Sequence, residues 1–322
     1  MGEPEPEPTQ SPSSLIPRRF LTHSRLSFAA EGWRCDALLT CVAPITTHTG
    51  ITLSKHLWYN TAAPTTRRHL MEQVGLALVT LLGIPIGAIL NRLGTDLPAR
   101  RPPRRPFCPY CGRPRPWYQW IALPAYLTGH AHCPHCGAAI RARYPLVELA
   151  TAFLFGFLYL RYGLTVRFGF FAAYTAILVL IGITDFERRL ILNVVTVPAM
   201  ALAIVGSFFT GHITWKGALI GGLVGYLTFL VLALVGNALV GPGALGGGDV
   251  KLAAFVGLIT GFPLIIEAIV LTTLAGGATS LFLLLTRLRR PKDPIPYGPF
   301  LIIGGWVTLI WGMEIARWFF GL

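Results

Sequence analysis

The sequence predicts an all-α protein, a polytopic bundle of about eight membrane-spanning helices. Of its 322 residues, 53% are hydrophobic and only 13% are charged, whereas a soluble globular protein has about 25% charged residues. The mean hydropathy is +0.58. The apolar residues form runs of roughly the 20 residues that a helix needs to cross a bilayer. Much of this chain therefore cannot face water.

The first 70 residues differ from the rest of the chain. They begin Met-Gly-Glu-Pro-Glu-Pro, are rich in Ser, Thr and Pro, and contain no run long enough to span a membrane. They lack a basic segment followed by an apolar one, so they do not form a secretory signal. We expect 1–70 to be a largely disordered extension of a membrane domain at 71–322. Met71 is an alternative start of translation, which mass spectrometry of the purified protein would test.

Seven apolar runs after residue 70 are long enough to cross a membrane. They are 74–93, 145–162, 168–184, 192–209, 216–240, 263–286 and 300–320. A shorter run, 252–260, is either a short span or a half-helix, so the sequence allows seven or eight spans. Eight is preferred, because the basic loops then all lie on one side of the membrane.

Basic residues between the runs predict the orientation of the bundle, since Lys and Arg are enriched in cytoplasmic loops. The segment 94–144 holds eight arginines against one acid, Asp96. Two further basic clusters lie at 188–189 and 287–292. We therefore expect all three segments in the cytoplasm. This placement accounts for much of the net charge of +13, and because the chain has no basic helix or aromatic stacking platform, nucleic-acid binding is not expected.

The segment 94–144 contains two Cys-x-x-Cys pairs, each followed by glycine. Two such pairs about twenty residues apart are typical of a tetrahedral four-thiolate zinc site. Cytoplasmic thiols also stay reduced and available to a metal. The alternative is two disulfides or a redox pair. We expect a small zinc-binding loop domain in which the Zn²⁺ ligands are Cys108, Cys111, Cys133 and Cys136.

Two aspartates lie at the predicted cytoplasmic boundary. Asp185 follows the run 168–184, and Asp249 follows three glycines. Charged residues at membrane depth are costly, so each suggests a function. Two neighbouring carboxylates share a proton, and one can activate water while the other protonates a carbonyl oxygen. The alternatives are a helix N-cap for Asp249, and an interfacial charge or an ion pair with Arg188 or Arg189 for Asp185.

Glycines and a proline lie beside these acids in the sequence. Gly246 and Gly248 precede Asp249, and without a Cβ they allow a substrate backbone or a partner helix to approach closely. Pro296 and Gly298 belong to a rigid turn before the last apolar run, and such a turn is also an ordinary helix start. We include all four as candidate residues of a substrate-binding or active-site loop.

Glu148 lies about one turn inside the run 145–162. A carboxylate at this depth suggests a functional or structural role. The alternative is a simple salt bridge to Arg141 or Arg143.

The motifs, taken in their order along the chain, resemble those of the type IV prepilin peptidases. This family, also called leader peptidases, consists of GxGD intramembrane aspartic proteases. The resemblance covers residues from about 74 to 320. The matching segments are Asn91-Arg92-Leu93, the four-cysteine loop, 142–149, Asp185, the Gly-x-Gly-Asp at 246–249, and Pro296-Tyr297-Gly298-Pro299. The resemblance implies cleavage of the leader from prepilins or pseudopilins at the cytoplasmic face of the inner membrane. It also implies that Asp185 and Asp249 are the catalytic residues.

The four-cysteine loop is similar to that of the long-form members of the family. The resemblance to these members implies a second activity, methylation of the new N-terminal amine with S-adenosylmethionine. Glu148 matches a position often present in the long form, with either a methyl-transfer or a structural role. One segment departs from the family pattern, because Leu-Ile-Leu-Asn at 190–193 replaces the usual Leu-Pro-Asp. The implied partners are prepilins or pseudopilins and membrane lipid.

Two other functions are compatible with parts of the sequence. One is a non-enzymatic membrane scaffold whose zinc loop docks cytoplasmic partners, with the two aspartates serving only at helix ends. The other is a transporter that uses intramembrane acids as a proton relay. A proton relay requires acids near the middle of the membrane, whereas Asp185 and Asp249 are predicted at its edge.

Overall fold

The computed structural model describes residues 34–36, 40–42, 58–100, 105–239, 241, 245–286 and 297–320. The chain divides into two units, Met1–Pro64 and Thr65–Leu322. Strands β1 (Arg34–Asp36) and β2 (Thr40–Val42) form an antiparallel pair in the first unit. Helix α1 begins at Trp58, before Met71. The division of the chain at residue 70 and the disorder of 1–70 stay predictions.

The described part of the second unit is helical, which confirms the predicted all-α fold. The described helices of the chain are α1 (Trp58–Asp96), α2 (Ala122–Leu127), α3 (Arg143–Tyr162), α4 (Val166–Arg188), α5 (Asn193–Phe209), α6 (Trp215–Leu239), α7 (Gly247–Thr260), α8 (Leu264–Leu285) and α9 (Gly298–Phe320). We call the segment between α1 and α3, residues 97–142, the cysteine loop. It contains α2, a short 3₁₀ helix at Trp117–Gln119 and two isolated β-bridges.

Six of these helices are long and apolar enough to cross a membrane, namely α1, α3, α4, α6, α8 and α9. The other two long helices, α5 with 17 residues and α7 with 14, are shorter. Apart from α2, the described part of the chain thus has eight helices, of which six qualify as spans, and the prediction of about eight spans stays a prediction for α5 and α7. Large apolar side chains such as Leu223, Leu227 and Leu234 cover the outer surface of α6. The protein is a multi-pass membrane protein.

Helix α7 forms the centre of the bundle. Every residue from 252 to 260 is buried, and α7 packs against α5, α6, α8 and α9. A helix that is apolar on all sides belongs inside a structure rather than at its surface. Because protein surrounds α7, its length of about 21 Å need not match the thickness of the lipid core. At the contact with α6, a Cβ on Gly257 would collide with the backbone of Gly221, so this close packing requires glycine.

Contacts between helix ends show which segments meet at one end of the bundle. Arg143, the first residue of α3, forms an ion pair with Glu187 near the end of α4. Lys251 in α7 donates a hydrogen bond to Asn193, the first residue of α5, at 2.8 Å. The start of α3, the end of α4 and the starts of α5 and α7 therefore lie at the end that carries the cysteine loop.

Candidate functional site

The two Cys-x-x-Cys pairs form similar turns. In the first, the amide of Gly112 donates a hydrogen bond to the carbonyl of Cys108 at 2.9 Å, and in the second Gly137 bonds Cys133 at the same distance. Both glycines have a positive φ, +70° and +71°, a conformation that glycine adopts without steric cost. The glycine after each pair therefore closes the turn that directs two sulfurs to one point.

The four sulfurs converge on one centre. Cys108 Sγ lies 3.6 Å from Cys136 Sγ, and Cys111 Sγ lies 3.8 Å from Cys133 Sγ. All four lie within 4.8 Å of one another. Four thiolates at the usual Zn–S distance around a tetrahedral ion would be about 3.8 Å apart. The residues therefore fit a metal ion, and the cysteines are free rather than joined in disulfides.

Backbone amides favour the metal-binding form of one cysteine. The amides of His135 and Cys136 lower the pKa of the Cys133 thiol from 9.0 to about 6. The thiolate is the form of cysteine that ligates metals. The second turn thus favours the thiolate form of Cys133, which can ligate a metal ion.

Glu148 connects the cysteine loop to the bundle. Its side chain is buried, with 1% exposure. Oε1 accepts a hydrogen bond from the amide of Ala122 at 2.8 Å, and Oε2 accepts one from the amide of Leu123 at 2.6 Å. The alternative of a salt bridge to Arg141 or Arg143 is wrong, because both arginines pair with Glu187 instead. Glu148 caps the first turn of α2, where free amides need an acceptor.

We expect Glu148→Gln to destabilise the cysteine loop. The amide group of glutamine places a donor opposite a backbone donor, and hydrogen bonds to a charged group contribute about 1.5–3 kcal/mol. The purified variant should unfold at a lower temperature, and a protease should cut its cysteine loop sooner. Glu72→Gln, at an exposed position on α1, is the matched control. An unchanged loop combined with lost methyl transfer would instead assign Glu148 a role in that reaction.

Asp185 lies inside the last turn of α4 and is 5% exposed. Its Oδ2 has no hydrogen-bond partner among the described residues. Arg189, the left-handed C-cap residue of α4, acts on Asp185 electrostatically, but the described chain contains no ion pair between them. The alternative of an ion pair with Arg188 or Arg189 therefore finds no support. A buried carboxyl oxygen without a partner is energetically costly, and such a cost is typical of a functional group.

Asp249 lies in the first turn of α7, at its third residue. The N-cap is Gly246, so the alternative of Asp249 as an ordinary N-cap is wrong. The amide of Asp249 donates a hydrogen bond to the carbonyl of Gly246 at 3.0 Å. A carboxylate in the first turn lies near the positive end of the helix dipole.

The end of α4 and the start of α7 lie close together although 64 residues separate Asp185 from Asp249 in the sequence. The charge of Asp185 acts on Asp249, so the two carboxyl groups interact electrostatically. Gly248 packs against Ile191, in the short connection between α4 and α5. The connection thus joins the two acidic turns.

The glycines predicted beside the acids have different surroundings. Gly246 is the N-cap of α7, and the close neighbour of Gly248 is Ile191. Gly298 begins α9 and is buried, and a Cβ at this position would collide with the carboxyl group of Asp185. Three helix ends therefore meet at Asp185 and Asp249. Pro296 lies outside the described residues.

Sequence reasoning did not identify the connection between α4 and α5 as part of the site. Ile191 packs against Gly248, and Asn193 accepts the hydrogen bond of Lys251. Both belong to the segment 190–193 that departs from the family pattern. That departure from the family pattern was the signal in the sequence that could have identified this connection.

Comparison with known families matches two parts of the chain. The type IV leader peptidase family matches residues 172–281, which include Asp185 and Asp249. The bacterial peptidase A24 N-terminal domain matches residues 81–162, which include the four cysteines and Glu148. Both acidic turns therefore lie in one family domain, and the cysteine loop in the other.

Several relatives match about two thirds of this chain. The prepilin leader peptidase/N-methyltransferase of Pseudomonas aeruginosa is 35% identical over 211 residues, 65% of this chain and 72% of the relative. The protein of that name from Aeromonas salmonicida is 35% identical over 217 residues, 67% and 74% of the two chains. The one from Dichelobacter nodosus is 32% identical over 215 residues, 66% and 73%. No solved structure matches this chain significantly.

Proposed function

This chain belongs to the type IV leader peptidase family, and from that premise we propose that Asp185 and Asp249 carry out its peptide cleavage. The observation that supports this assignment is the approach of two acidic turns, the end of α4 and the start of α7. An unpartnered buried carboxyl oxygen on Asp185 strengthens it. As a member of the family, the protein is a membrane endopeptidase that removes the leader from prepilins, with prepilins or pseudopilins as substrates.

The two carboxyl groups would divide the chemistry between them. Neighbouring carboxyls share one proton, because both cannot easily be charged. One carboxyl of the pair is then charged and the other holds the shared proton. The charged carboxyl takes a proton from water as the water attacks the carbonyl carbon, and the protonated carboxyl gives its proton to the carbonyl oxygen. When the intermediate collapses, the C–N bond breaks, the hydroxyl proton returns to the carboxyl that donated it, and the proton taken from water passes to the leaving amine.

We propose that the bundle lies in the bacterial inner membrane with the site facing the cytoplasm. Arginines of the cysteine loop and the basic residues at 188–189 support this orientation through the positive-inside rule. A site at this face would meet the prepilin leader while the pilin is still in the membrane. An alkaline phosphatase fusion in the cysteine loop should be inactive, whereas one in the connection at 210–214 should be active.

Zn²⁺ is the metal that we propose for the four cysteines. The sulfur spacing supports a tetrahedral thiolate site. The ion would hold the two turns of the cysteine loop together, and it has no part in the cleavage step proposed here. Such a loop, poor in apolar residues, takes much of its folding energy from the metal.

The names of the relatives support a second activity, N-methylation. We propose that it acts on the newly exposed amine, with S-adenosylmethionine as the methyl donor. A cavity of about 80 Å³ lies between the cysteine loop and the bundle, lined among others by Arg92, Arg115 and Tyr144. This volume is far below the roughly 300 Å³ of a small cofactor pocket. The cavity is therefore too small for the donor.

Co-expression with a prepilin tests the proposed function. In a host that lacks its own leader peptidase, the wild-type chain should convert the prepilin to a shorter product whose N-terminus mass spectrometry identifies. A membrane scaffold would leave the prepilin uncut. Mature pilin without N-terminal methylation would support the peptidase and contradict the methyltransferase.

We expect Gly298→Ala to slow cleavage strongly without removing either acid. The new methyl group would occupy the position of the Asp185 carboxyl group, which must then move. Misplacement of a catalytic group by about 1 Å can cost 10²-fold in rate, so we expect a loss of about that size. Gly277→Ala, on α8 with no heavy atom within 4 Å of the new Cβ, is the matched control. Wild-type cleavage by Gly298→Ala would show that this contact does not position Asp185.

A further inference from the structure

An apolar groove lies between α3, α4 and α9, beside the candidate active site. Its volume is about 320 Å³. We call it the α3–α4–α9 groove and define it by Val147, Val179, Gly182, Phe186, Ile302 and Ile303, with Arg143 at one end. Apart from Arg143, the side chains that line it are apolar. The groove is therefore suited to an apolar occupant.

The groove begins at the active site. Phe186 follows Asp185 directly in α4, and Pro299, which also lines the groove, follows Gly298 in α9. Gly298 contacts the Asp185 carboxyl group. A chain seated in the groove would thus pass directly from the membrane-embedded surface of the bundle to the catalytic carboxyls.

The depth of the groove restricts the conformation of its occupant. On α4 it extends from Val179 to Phe186, about 10 Å or two helical turns. A polypeptide at membrane depth must satisfy its own backbone hydrogen bonds, so it is helical there. The groove accordingly fits about two turns of one apolar helix.

Gly182 leaves room at the floor of the groove. A Cβ at this position would meet only Ile302 Cδ1, at an ordinary distance of 3.5 Å. Larger side chains are therefore compatible with the fold here but would fill the groove. Its walls carry Phe186 and Ile303, which are 81% and 57% exposed and so available to a partner.

Arg143 places a positive charge at the end of the groove nearest the site. It pairs with Glu187 and donates a hydrogen bond to Thr95 Oγ1 at 3.2 Å. Its Nε is buried and has no hydrogen-bond partner among the described residues. The charge of Arg143 is already paired and its side chain is 18% exposed, so Arg143 marks the end of the groove and is not a free donor for an occupant. The adjacency of the groove to Asp185, through Phe186 and Pro299, is what favours a polypeptide substrate over a lipid tail.

We propose that the α3–α4–α9 groove binds the apolar helix that follows the cleaved bond in the prepilin. The inference rests on the proposed function and adds the surface that selects the substrate. Binding in the groove aligns the bond at the start of the helix with Asp185 and Asp249. Specificity then depends on an apolar helix in the membrane as well as on the sequence of the leader.

Filling the groove tests this proposal. We expect Gly182→Leu to lower kcat/KM for a full-length prepilin at least tenfold, mainly through a higher KM. Gly169→Leu adds the same side chain to α4 at an exposed position with nothing within 4 Å of its Cβ, and it should cleave normally. Unchanged cleavage by Gly182→Leu would overturn the groove assignment. Loss of cleavage by the wild type itself would instead contradict the proposed function.

Photo-crosslinking gives a second test that does not depend on the stability of Gly182→Leu. A benzoylphenylalanine replaces Ile303 in a chain that also carries Asp249→Asn, so that co-expressed prepilin remains uncut. We expect a crosslink to the apolar helix of the prepilin. The same probe at Phe282, 61% exposed on α8, should give none. Crosslinks at Ile303 only to lipid or to a second copy of the chain would overturn the proposal.

Discussion

Chains that carry Asp185→Asn or Asp249→Asn will accumulate in the membrane and leave the prepilin uncut. Each substitution keeps the size of the side chain but removes the group that accepts or donates the proton. General acid–base groups contribute about 10²–10⁴-fold to a rate, and the two groups act in one step. We therefore expect each single variant to lose at least about 10³-fold in cleavage rate, measured from the conversion of prepilin to mature pilin over time.

The control for these variants is an acid at the other end of the bundle. Glu314 pairs with Arg161 there and is half-exposed, so Glu314→Gln should process prepilin at nearly the wild-type rate. Equal amounts of each chain in the membrane fraction would show that lost activity is not lost protein. Full processing by Asp185→Asn or by Asp249→Asn would end the assignment of the pair.

Replacement of metal ligands has the second large expected effect. The purified wild-type chain should contain about one zinc ion, as one four-thiolate site requires. Cys133→Ser and Cys136→Ser should each lower the zinc content to a small fraction of this value, measured by metal analysis. Because the metal supplies folding energy to the cysteine loop, a protease should then cut that loop much faster, and treatment of the wild type with a chelator should have the same effect.

A histidine within the second turn provides the matched control. His135 lies between Cys133 and Cys136, but its ring contacts Arg113 at 3.1 Å and the four sulfurs already complete the shell. His135→Ala should therefore keep its zinc. Loss of zinc from His135→Ala, or a wild-type chain without metal, would contradict the four-cysteine site.

The features that depend on local sequence were predictable. Apolar runs and basic loops identify the spans because a bilayer requires long apolar helices. The spacing Cys108–Cys111 and Cys133–Cys136 predicts a metal site because each turn is local, and the structure brings the four sulfurs together. Even so, α4 continues to Arg188, so that Asp185 lies within the helix rather than after it. Backbone hydrogen bonding continues beyond the last apolar residue, which hydropathy does not detect.

Contacts between distant segments were not predictable in the same way. The sequence suggested that Glu148 pairs with Arg141 or Arg143, which are close in the chain. In the fold Glu148 accepts hydrogen bonds from Ala122 and Leu123, 26 and 25 residues away, because the cysteine loop folds back onto α3. No periodicity encodes such a contact. The interaction of Ile191 with Gly248 was missed for the same reason.

The role of Asp249 illustrates the limit of motif reasoning. A Gly-rich segment before an acid predicts a helix start, and α7 does begin there. The motif does not show whether the acid or a glycine is the N-cap. In the structure Gly246 takes this position. The carboxyl group of Asp249 does not cap the helix and interacts electrostatically with Asp185. The approach of the two acidic turns depends on how α7 packs in the bundle, and that is a property of the whole fold.

The most direct measurement is a cryo-electron microscopy structure of the Asp249→Asn chain in a lipid nanodisc with an uncut prepilin bound. We expect the carbonyl group of the bond after the leader to lie between residues 185 and 249, within hydrogen-bond reach, about 3 Å, of both side chains directly or through one water. A prepilin bound with that bond far from one or both of these side chains would contradict cleavage by this pair.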